Sequence, residues 1–142
     1  MTAVPPLTGQ DINLAARATR LVLIAALDTM DMTFEDWIVI NLLGTGQARD
    51  VATLSERLAS GLGLDGRTFD QLLGNLVAMN VVERTDDAIA LAIEGERRWR
   101  QGQAIVAELV ATLYAGFSPD DLATARRVLV EVTARAQAQV SA

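Results

Sequence analysis

The sequence predicts a mainly α-helical protein with one small β-hairpin. Apolar residues recur at helical spacing in several Ala- and Leu-rich segments. Two short strand-like runs flank Thr85, Asp86 and Asp87, which form a good turn composition. Between Thr33 and Gly95 the predicted order is three helices, a hairpin and the start of a long helix. That order is the plan of a winged helix-turn-helix.

The N-terminal part of the chain predicts two helices. Thr8 is expected to cap the first helix, because Asp11 stands three residues on, as in a capping box. The helical pattern breaks over residues 28–32. Thr33 then begins a second helix, with Asp36 at its third position, and the glycine-containing segment 44–46 ends it.

The next segment predicts the helix-turn-helix. Asp50 is expected to cap a short helix that ends at Ser60, and residues 61–66 form a glycine-containing turn. A second helix follows from about Arg67 to Met79. Its apolar, inward face consists of Phe69, Leu72, Leu73 and Leu76.

The rest of the chain predicts a hairpin and two long helices. Residues 81–84 and 88–91 read as strands, which must pack on the helices because an isolated hairpin is only marginally stable. A long helix is expected from Ile93 to about Gly116. Ser118, followed by Pro119 and two acids, is typical of the start of a last helix.

Composition excludes several functional classes. The 142 residues include no Cys and no His, which removes disulfides, thiolate chemistry, zinc sites of the Cys/His type and histidine base catalysis. Because the acids fall mostly at caps and exposed helix positions, we predict no catalytic residue, no metal site, no cofactor and no enzyme activity. No apolar run is long enough to span a bilayer, so we expect a cytoplasmic protein without membrane contact.

The content of apolar residues points to a subunit interface. The chain is 51% hydrophobic, with a mean hydropathy of +0.26. Such an apolar surplus in a small soluble chain is typical of a buried interface between subunits.

Three segments carry a resemblance to the MarR family of bacterial regulators. Leu91-Ala92-Ile93-Glu94-Gly95 resembles the family's Leu-Thr-x-x-Gly, with Ala92 in place of Thr. Residues 117–122 resemble its apolar-Ser-Pro-acid-acid-Leu start of the last helix. Residues 76–84 resemble its passage from helix to wing, with Asn80 where Gly is common; Asn tolerates the left-handed conformation. The resemblance covers residues 8–136.

The resemblance implies an organisation and a set of partners. Residues 1–32 would form an N-terminal arm and dimerisation helix, 33–96 the winged helix-turn-helix, and 97–142 the C-terminal dimerisation helices. A homodimer would bind double-stranded DNA and regulate transcription, with a small aromatic effector between the two parts. Trp37, Trp99 and Tyr114 are the aromatic residues available for such a pocket, although we interpret both tryptophans as core or interface residues.

Four polar residues lie away from the apolar face of the predicted recognition helix: Arg67, Thr68, Gln71 and Asn75. Arginine can read guanine in the major groove, and Gln or Asn can read adenine. The alternative is that these are ordinary solvated side chains.

Other arginines have two interpretations each. Arg57 is either a phosphate contact or the partner of a nearby acid, and Arg84 is either a phosphate contact or half of a cross-strand charge pair. The cluster at 97, 98 and 100 could touch flanking DNA. We favour ion pairs with Asp28 and Asp31, because a charge run is usually a solvated, paired face.

The charge of the predicted DNA-binding module argues against tight DNA binding. Residues 50–96 hold three arginines and nine carboxylates, a net charge of −6. The wing is also shorter than in the family and lacks the arginine near its tip. Since phosphate neutralisation dominates affinity for DNA, the alternative is a dimeric winged-helix protein that has lost direct DNA binding and acts through protein–protein interaction.

Overall fold

The computed structural model describes residues 4–141 and confirms the predicted fold class. These residues form six helices and a two-stranded antiparallel hairpin in the predicted order. The elements are α1 (Gly9–Asp28), α2 (Phe34–Gly44), α3 (Val51–Leu62), α4 (Gly66–Ala78), β1 (Val82–Thr85), β2 (Ala88–Leu91), α5 (Ile93–Leu113) and α6 (Pro119–Ser141).

Four predicted helix starts are confirmed by their capping bonds. The side chains of Thr8, Thr33, Asp50 and Ser118 each accept the backbone N–H three residues on, at 3.3, 3.1, 2.7 and 3.1 Å respectively. Each bond satisfies one of the donors that a helix N-terminus leaves free. Only at Thr8 is the capping box complete, because Asp11 also accepts the Thr8 N–H, at 2.9 Å.

Helix boundaries differ from the prediction by a few residues. Helix α3 continues past Ser60 to Leu62 and ends at Gly63, whose φ of 68° is left-handed. Helix α4 begins at Gly66, because Asp65 caps it by accepting the Thr68 N–H at 2.7 Å. Helix α5 stops at Leu113 instead of about residue 116, and a turn with left-handed Gly116 follows.

The first strand of the hairpin is shifted by one residue from the prediction, whereas the second strand has the predicted bounds. Val81 is not in β1, because its N–H donates to the Leu76 carbonyl at 3.0 Å and its carbonyl accepts the Ala92 N–H at 2.9 Å. Thr85 instead pairs with Ala88, so only residues 86 and 87 form the turn. Asn80 has a φ of 59°, which confirms the left-handed conformation expected there.

The core lies among α2, α3, α4 and the hairpin. Its most deeply buried side chains are Leu27, Val39, Ile40, Leu54, Leu58, Leu76, Val81 and Val82. Helix α5 approaches this core through Gly95, where a Cβ atom would collide with the Val81 carbonyl oxygen. A glycine is needed there because no side chain fits against that backbone.

The chain divides into two compact units, one up to Ala107 and one from Glu108. The second unit holds the end of α5 and α6. Helix α6 has no buried residue along its 23 positions.

Candidate nucleic-acid interface

Helices α3 and α4 form the predicted helix-turn-helix, joined by residues 63–65. Helix α4 buries Phe69, Leu73 and Leu76 against the core. The four polar residues predicted to read bases are Arg67, Thr68, Gln71 and Asn75, and all four are exposed. Because they stand one, four and eight positions apart on one helix, the structure brings them together on a single face.

Thr68 also serves the cap of α4. Its backbone N–H and then its hydroxyl hold the pKa of Asp65 below the ordinary value. Asp65 therefore stays ionised at neutral pH and places a negative charge at the start of α4. Such a charge complements the helix N-terminus, but it repels a phosphate at the same place.

Arg57 and Arg84 stand on other elements. Arg57 is exposed on α3 and has no carboxylate partner within residues 4–141, so the ion-pair interpretation is wrong. Arg84 lies opposite Ile89 in the hairpin register, which rules out the cross-strand charge pair. Its Nε instead donates to the Asp86 carbonyl oxygen at 3.0 Å, within the wing turn.

The arginine cluster at the start of α5 is paired, but its partner differs from the prediction. Glu94 contacts Arg97 at 2.5 Å and Arg98 at 3.1 Å, whereas Asp28 and Asp31 make no ion pair in the described part of the chain. Residues three and four apart on a helix are neighbours, which explains the choice of partner. The hydrogen bonds from the two arginines lower the pKa of Glu94 to about 2.

A third backbone segment, just before α3, pairs with the hairpin, and the sequence did not predict this pairing. Asp50 forms an antiparallel bridge with Ala88, supported by the bond from the Val51 N–H to the Asp87 carbonyl at 2.9 Å. A second bond runs from the Ile89 N–H to the Arg49 carbonyl at 3.1 Å. The hairpin is therefore attached to the start of α3.

Three of the nine acids in the module have structural partners. Asp50 and Asp65 cap helices, and Glu94 is paired with two arginines. The other six are exposed and make no ion pair within the described residues: Glu56, Asp70, Glu83, Asp86, Asp87 and Glu96. The surface of the predicted DNA-binding module thus remains rich in negative charge.

A groove lies between α4 and the N-terminal end of α2. Its volume is about 550 Å³. Gln71 and Asn75 line it, and so do Glu35 and Asp36 from the first turn of α2. Sequence reasoning missed this groove, because the proximity of α2 to α4 is a tertiary contact.

The tryptophans belong to the packing of the first unit, as predicted. Trp37 is buried and Trp99 is half-buried. Tyr114 is exposed in the second unit. No group of three or more potential metal ligands, and no helix both long and apolar enough to cross a membrane, occurs in the part of the chain described by the structure.

Solved structures show which known fold this is. No protein-family model and no curated protein matches the sequence. The reduced form of MarR from E. coli superposes with a TM-score of 0.71 at 22% identity, covering 92% of this chain and 95% of that one. The chain has the MarR-type winged-helix fold.

Two other structures with the MarR-type fold were solved with a bound molecule. The S. aureus MepR–DNA complex gives a TM-score of 0.72 at 19% identity, covering 90% of this chain and 96% of that one. The Mycobacterium tuberculosis MarR family protein Rv2887, in complex with p-aminosalicylic acid, gives a TM-score of 0.71 at 19% identity, covering 90% of this chain and 98% of that one.

Proposed function

We propose that this chain is a homodimeric, sequence-specific DNA-binding regulator of transcription. The observation that carries the proposal is the exposed polar face of α4, presented by a helix-turn-helix whose opposite face is buried. A solved structure of the same fold contains DNA. The fold provides a scaffold that can bind DNA, and the polar side chains of α4 support DNA binding by this chain.

Each polar residue on α4 has a distinct task in this proposal. Arg67 would read guanine, and Gln71 and Asn75 would read adenine, because their paired donors and acceptors match those base edges in the major groove. Thr68, which is partly engaged by Asp65, would make a single additional contact. Affinity then depends on base contacts more than in a basic regulator.

Arg57 and Arg84 would contact phosphates on either side of the recognition helix. Arg57 has no acidic partner within the described residues, so its guanidinium is available. The hydrogen bond of Arg84 uses Nε and leaves its two terminal nitrogens for a phosphate.

The exposed apolar surface supports a homodimer. In α1, Leu14 and Leu21 are 56% and 59% exposed, and in the second unit Phe117 is 59% exposed. Helix α6 buries none of its residues within the chain. Because a helix gains most of its stability from packing an apolar face, we propose that a second copy covers these surfaces. Residues 1–32 and 97–142 then form the dimerisation parts, and residues 33–96 the winged module.

A small aromatic effector is part of the same proposal. The Rv2887 structure contains p-aminosalicylic acid, which supports an aromatic ligand for a protein of this fold. Trp37 and Trp99 are used in packing, so they do not supply the pocket.

The acidic module favours one alternative function. Six exposed acids without ion-pair partners within residues 4–141 outnumber the three arginines of the module, and two of those acids lie in the wing turn. A dimer with this surface could act by binding a basic protein partner instead of DNA.

Selection from a random duplex library tests the choice. The DNA-binding function predicts enrichment of a sequence motif, and Arg67→Ala or Gln71→Ala should abolish the preference at individual base positions. Arg49→Ala and Gln47→Ala make the same chemical changes at exposed positions between α2 and α3, outside the proposed dimerisation parts, and should leave the motif intact. Failure of a folded dimer to enrich any motif would favour the protein-binding alternative.

A further inference from the structure

One acid, Asp70, stands on the exposed surface of α4 without a structural role in the described residues. Its side chain makes no ion pair within residues 4–141. The cap of α4 is Asp65, so Asp70, which is the fifth residue of the helix, is not needed there. Aspartate is also a poor helix former in a helix interior. The presence of Asp70 is therefore not explained by the stability of α4.

Arg67 precedes Asp70 by three residues, but the two side chains form no ion pair in the described part of the chain. Glu94 and Arg97 have the same spacing and are paired. The order of the charges explains the difference, because an acid N-terminal to a base is the arrangement that suits the helix dipole. Arg67 and Asp70 thus present opposite charges side by side, and both are available to a second molecule.

Gly74 leaves the surface next to Asp70 without a side chain. It is exposed and follows Asp70 by four residues, so the two are neighbours on one side of α4. A Cβ atom on Gly74 would meet nothing within 4 Å, so no contact among the described residues requires a glycine there. A glycine permits a second molecule to approach the helix backbone closely. The short side chain of Asp70 needs such an approach to reach a base.

We propose that Asp70 accepts a hydrogen bond from the N4 amino group of a cytosine in the major groove, beside the guanine that Arg67 reads. This proposal rests on the proposed DNA-binding function and names the bases that α4 selects. A carboxylate has acceptors only, so it is repelled by guanine and thymine, which present acceptors in the groove. Cytosine suits it better than adenine, because adenine places its N7 acceptor beside the amino group.

The guanine and the cytosine should lie in neighbouring base pairs. Asp70 stands three residues beyond Arg67, which is about 4.5 Å along the helix axis, and successive bases of a strand are about 3.4 Å apart along the duplex. The N-terminal residues of a recognition helix are also those that contact base edges. The charge of Asp70 repels phosphates on any DNA but meets a donor only at the cognate site. It therefore raises specificity while it lowers affinity for other DNA.

Selection from a random duplex library by the full-length Asp70→Asn variant tests this assignment. An amide can bond both N6 and N7 of adenine, so the preference at one base position should change from cytosine to adenine. That position should lie next to the guanine position that Arg67→Ala relaxes. Glu56→Gln removes the same charge from an exposed position on α3 and should leave the selected motif unchanged.

Affinities for two duplexes separate the base contact from the effect of charge. The wild type should bind the cognate duplex about tenfold more tightly than a duplex with adenine in place of the cytosine. Asp70→Asn should lose or reverse that difference, whereas Glu56→Gln should retain it. If Asp70→Asn instead gains the same affinity for both duplexes, Asp70 acts only as a charge and the proposal is overturned.

Gly74→Ala tests the close approach of the base. The variant should be at least as stable as the wild type, yet it should bind the cognate duplex severalfold more weakly, because the added methyl group keeps the base away from Asp70. Gly61→Ala makes the same change on α3, where the added Cβ also meets nothing within 4 Å, and should leave the affinity unchanged. Full cognate affinity in Gly74→Ala would overturn the approach that the Asp70 contact requires.

Failure of this proposal can be distinguished from failure of the proposed function. A wild-type motif with no cytosine beside the guanine that depends on Arg67 would overturn the role of Asp70 and leave sequence-specific DNA binding standing. The same holds for a cytosine that Asp70→Asn still selects. A folded wild-type dimer that selects no motif would overturn both.

Discussion

Trp99 of α5 donates its indole N–H to the side-chain oxygen of Asn41 on α2, at 3.2 Å. The same indole lies where a Cβ on Gly44 would be, and Trp37 of α2 lies where a Cβ on Gly102 of α5 would be. Helices α2 and α5 thus pack through two reciprocal Trp–Gly contacts and one polar bond. These contacts attach α2, which also lines the groove, to the first half of α5.

The Asn41–Trp99 bond should contribute measurably to stability. Asn41→Leu leaves a half-buried indole N–H without its acceptor and should lower the free energy of unfolding by about 1–2 kcal/mol. In a Trp99→Phe background the same substitution should cost about 1 kcal/mol less, because there is no N–H to leave unbonded. Urea unfolding at fixed protein concentration measures both values, and equal costs in the two backgrounds would show that the bond contributes nothing.

Gly95 is expected to be irreplaceable even by alanine. A Cβ there meets the Val81 carbonyl oxygen, which also accepts the Ala92 N–H. Gly95→Ala should therefore destabilise the fold by about 1–3 kcal/mol, as overpacking does. Gly74→Ala is the matched control, because nothing lies within 4 Å of its added Cβ and alanine favours a helix interior. It should stabilise by about 0.5–1 kcal/mol. Similar effects of the two changes would contradict this packing.

Local patterns in the sequence predicted the helix starts, whereas most tertiary contacts could not be predicted from them. Thr8, Thr33 and Ser118 act on residues three positions away, so their role is readable from spacing alone. The bridge from Asp50 to Ala88 joins residues far apart in sequence and has no local signature. The contact between α2 and α5 did have a signal in the sequence. A glycine inside a predicted helix, such as Gly102, can indicate that another element packs closely there.

The candidate site also has some features that could be predicted from the sequence and others that could not. The face of α4 could be predicted because helical periodicity alone groups Arg67 with Gln71 and Asn75. The partner of Arg97 could have been predicted from its spacing to Glu94, which favours an ion pair within the helix. The groove could not, because it requires the first turn of α2 to lie beside α4.

The Glu94 ion pairs should give stability a distinct pH dependence. The folded pKa of about 2 lies below the usual value of 4.5, so ionised Glu94 favours the folded state. Its contribution is complete above about pH 4.5 and is lost as the pH falls towards 2. The difference in unfolding free energy between the wild type and Glu94→Gln should follow this course and shrink in high salt.

Glu108→Gln provides the control for that titration. Glu108 is exposed and makes no ion pair in the described segment. Its substitution should give a difference that changes little over the same pH range. A flat profile for Glu94→Gln as well would mean that the ion pairs do not stabilise the protein.

The acids in the wing turn should weaken DNA binding. Replacing Asp86 and Asp87 by Asn removes two negative charges from the turn and should increase DNA affinity severalfold at low salt, with a smaller gain at high salt. Asn also tolerates the left-handed conformation at position 86, where φ is 55°. Fluorescence anisotropy measures the change, and Asp28→Asn serves as a control on α1. An unchanged affinity would place the wing away from the phosphates.

Binding of the purified protein to DNA tests the central proposal most directly. Fluorescence anisotropy should be measured on DNA from the protein's own upstream region and on a scrambled duplex, at about 50 and 200 mM salt. We predict preferential binding to the upstream DNA that Arg67→Ala and Gln71→Ala abolish. Equal affinity for the two duplexes, or an unchanged preference for the upstream DNA in both variants, would contradict base reading by α4. No binding at either salt by a folded dimer would contradict autoregulation and direct the search to protein partners and to operators elsewhere.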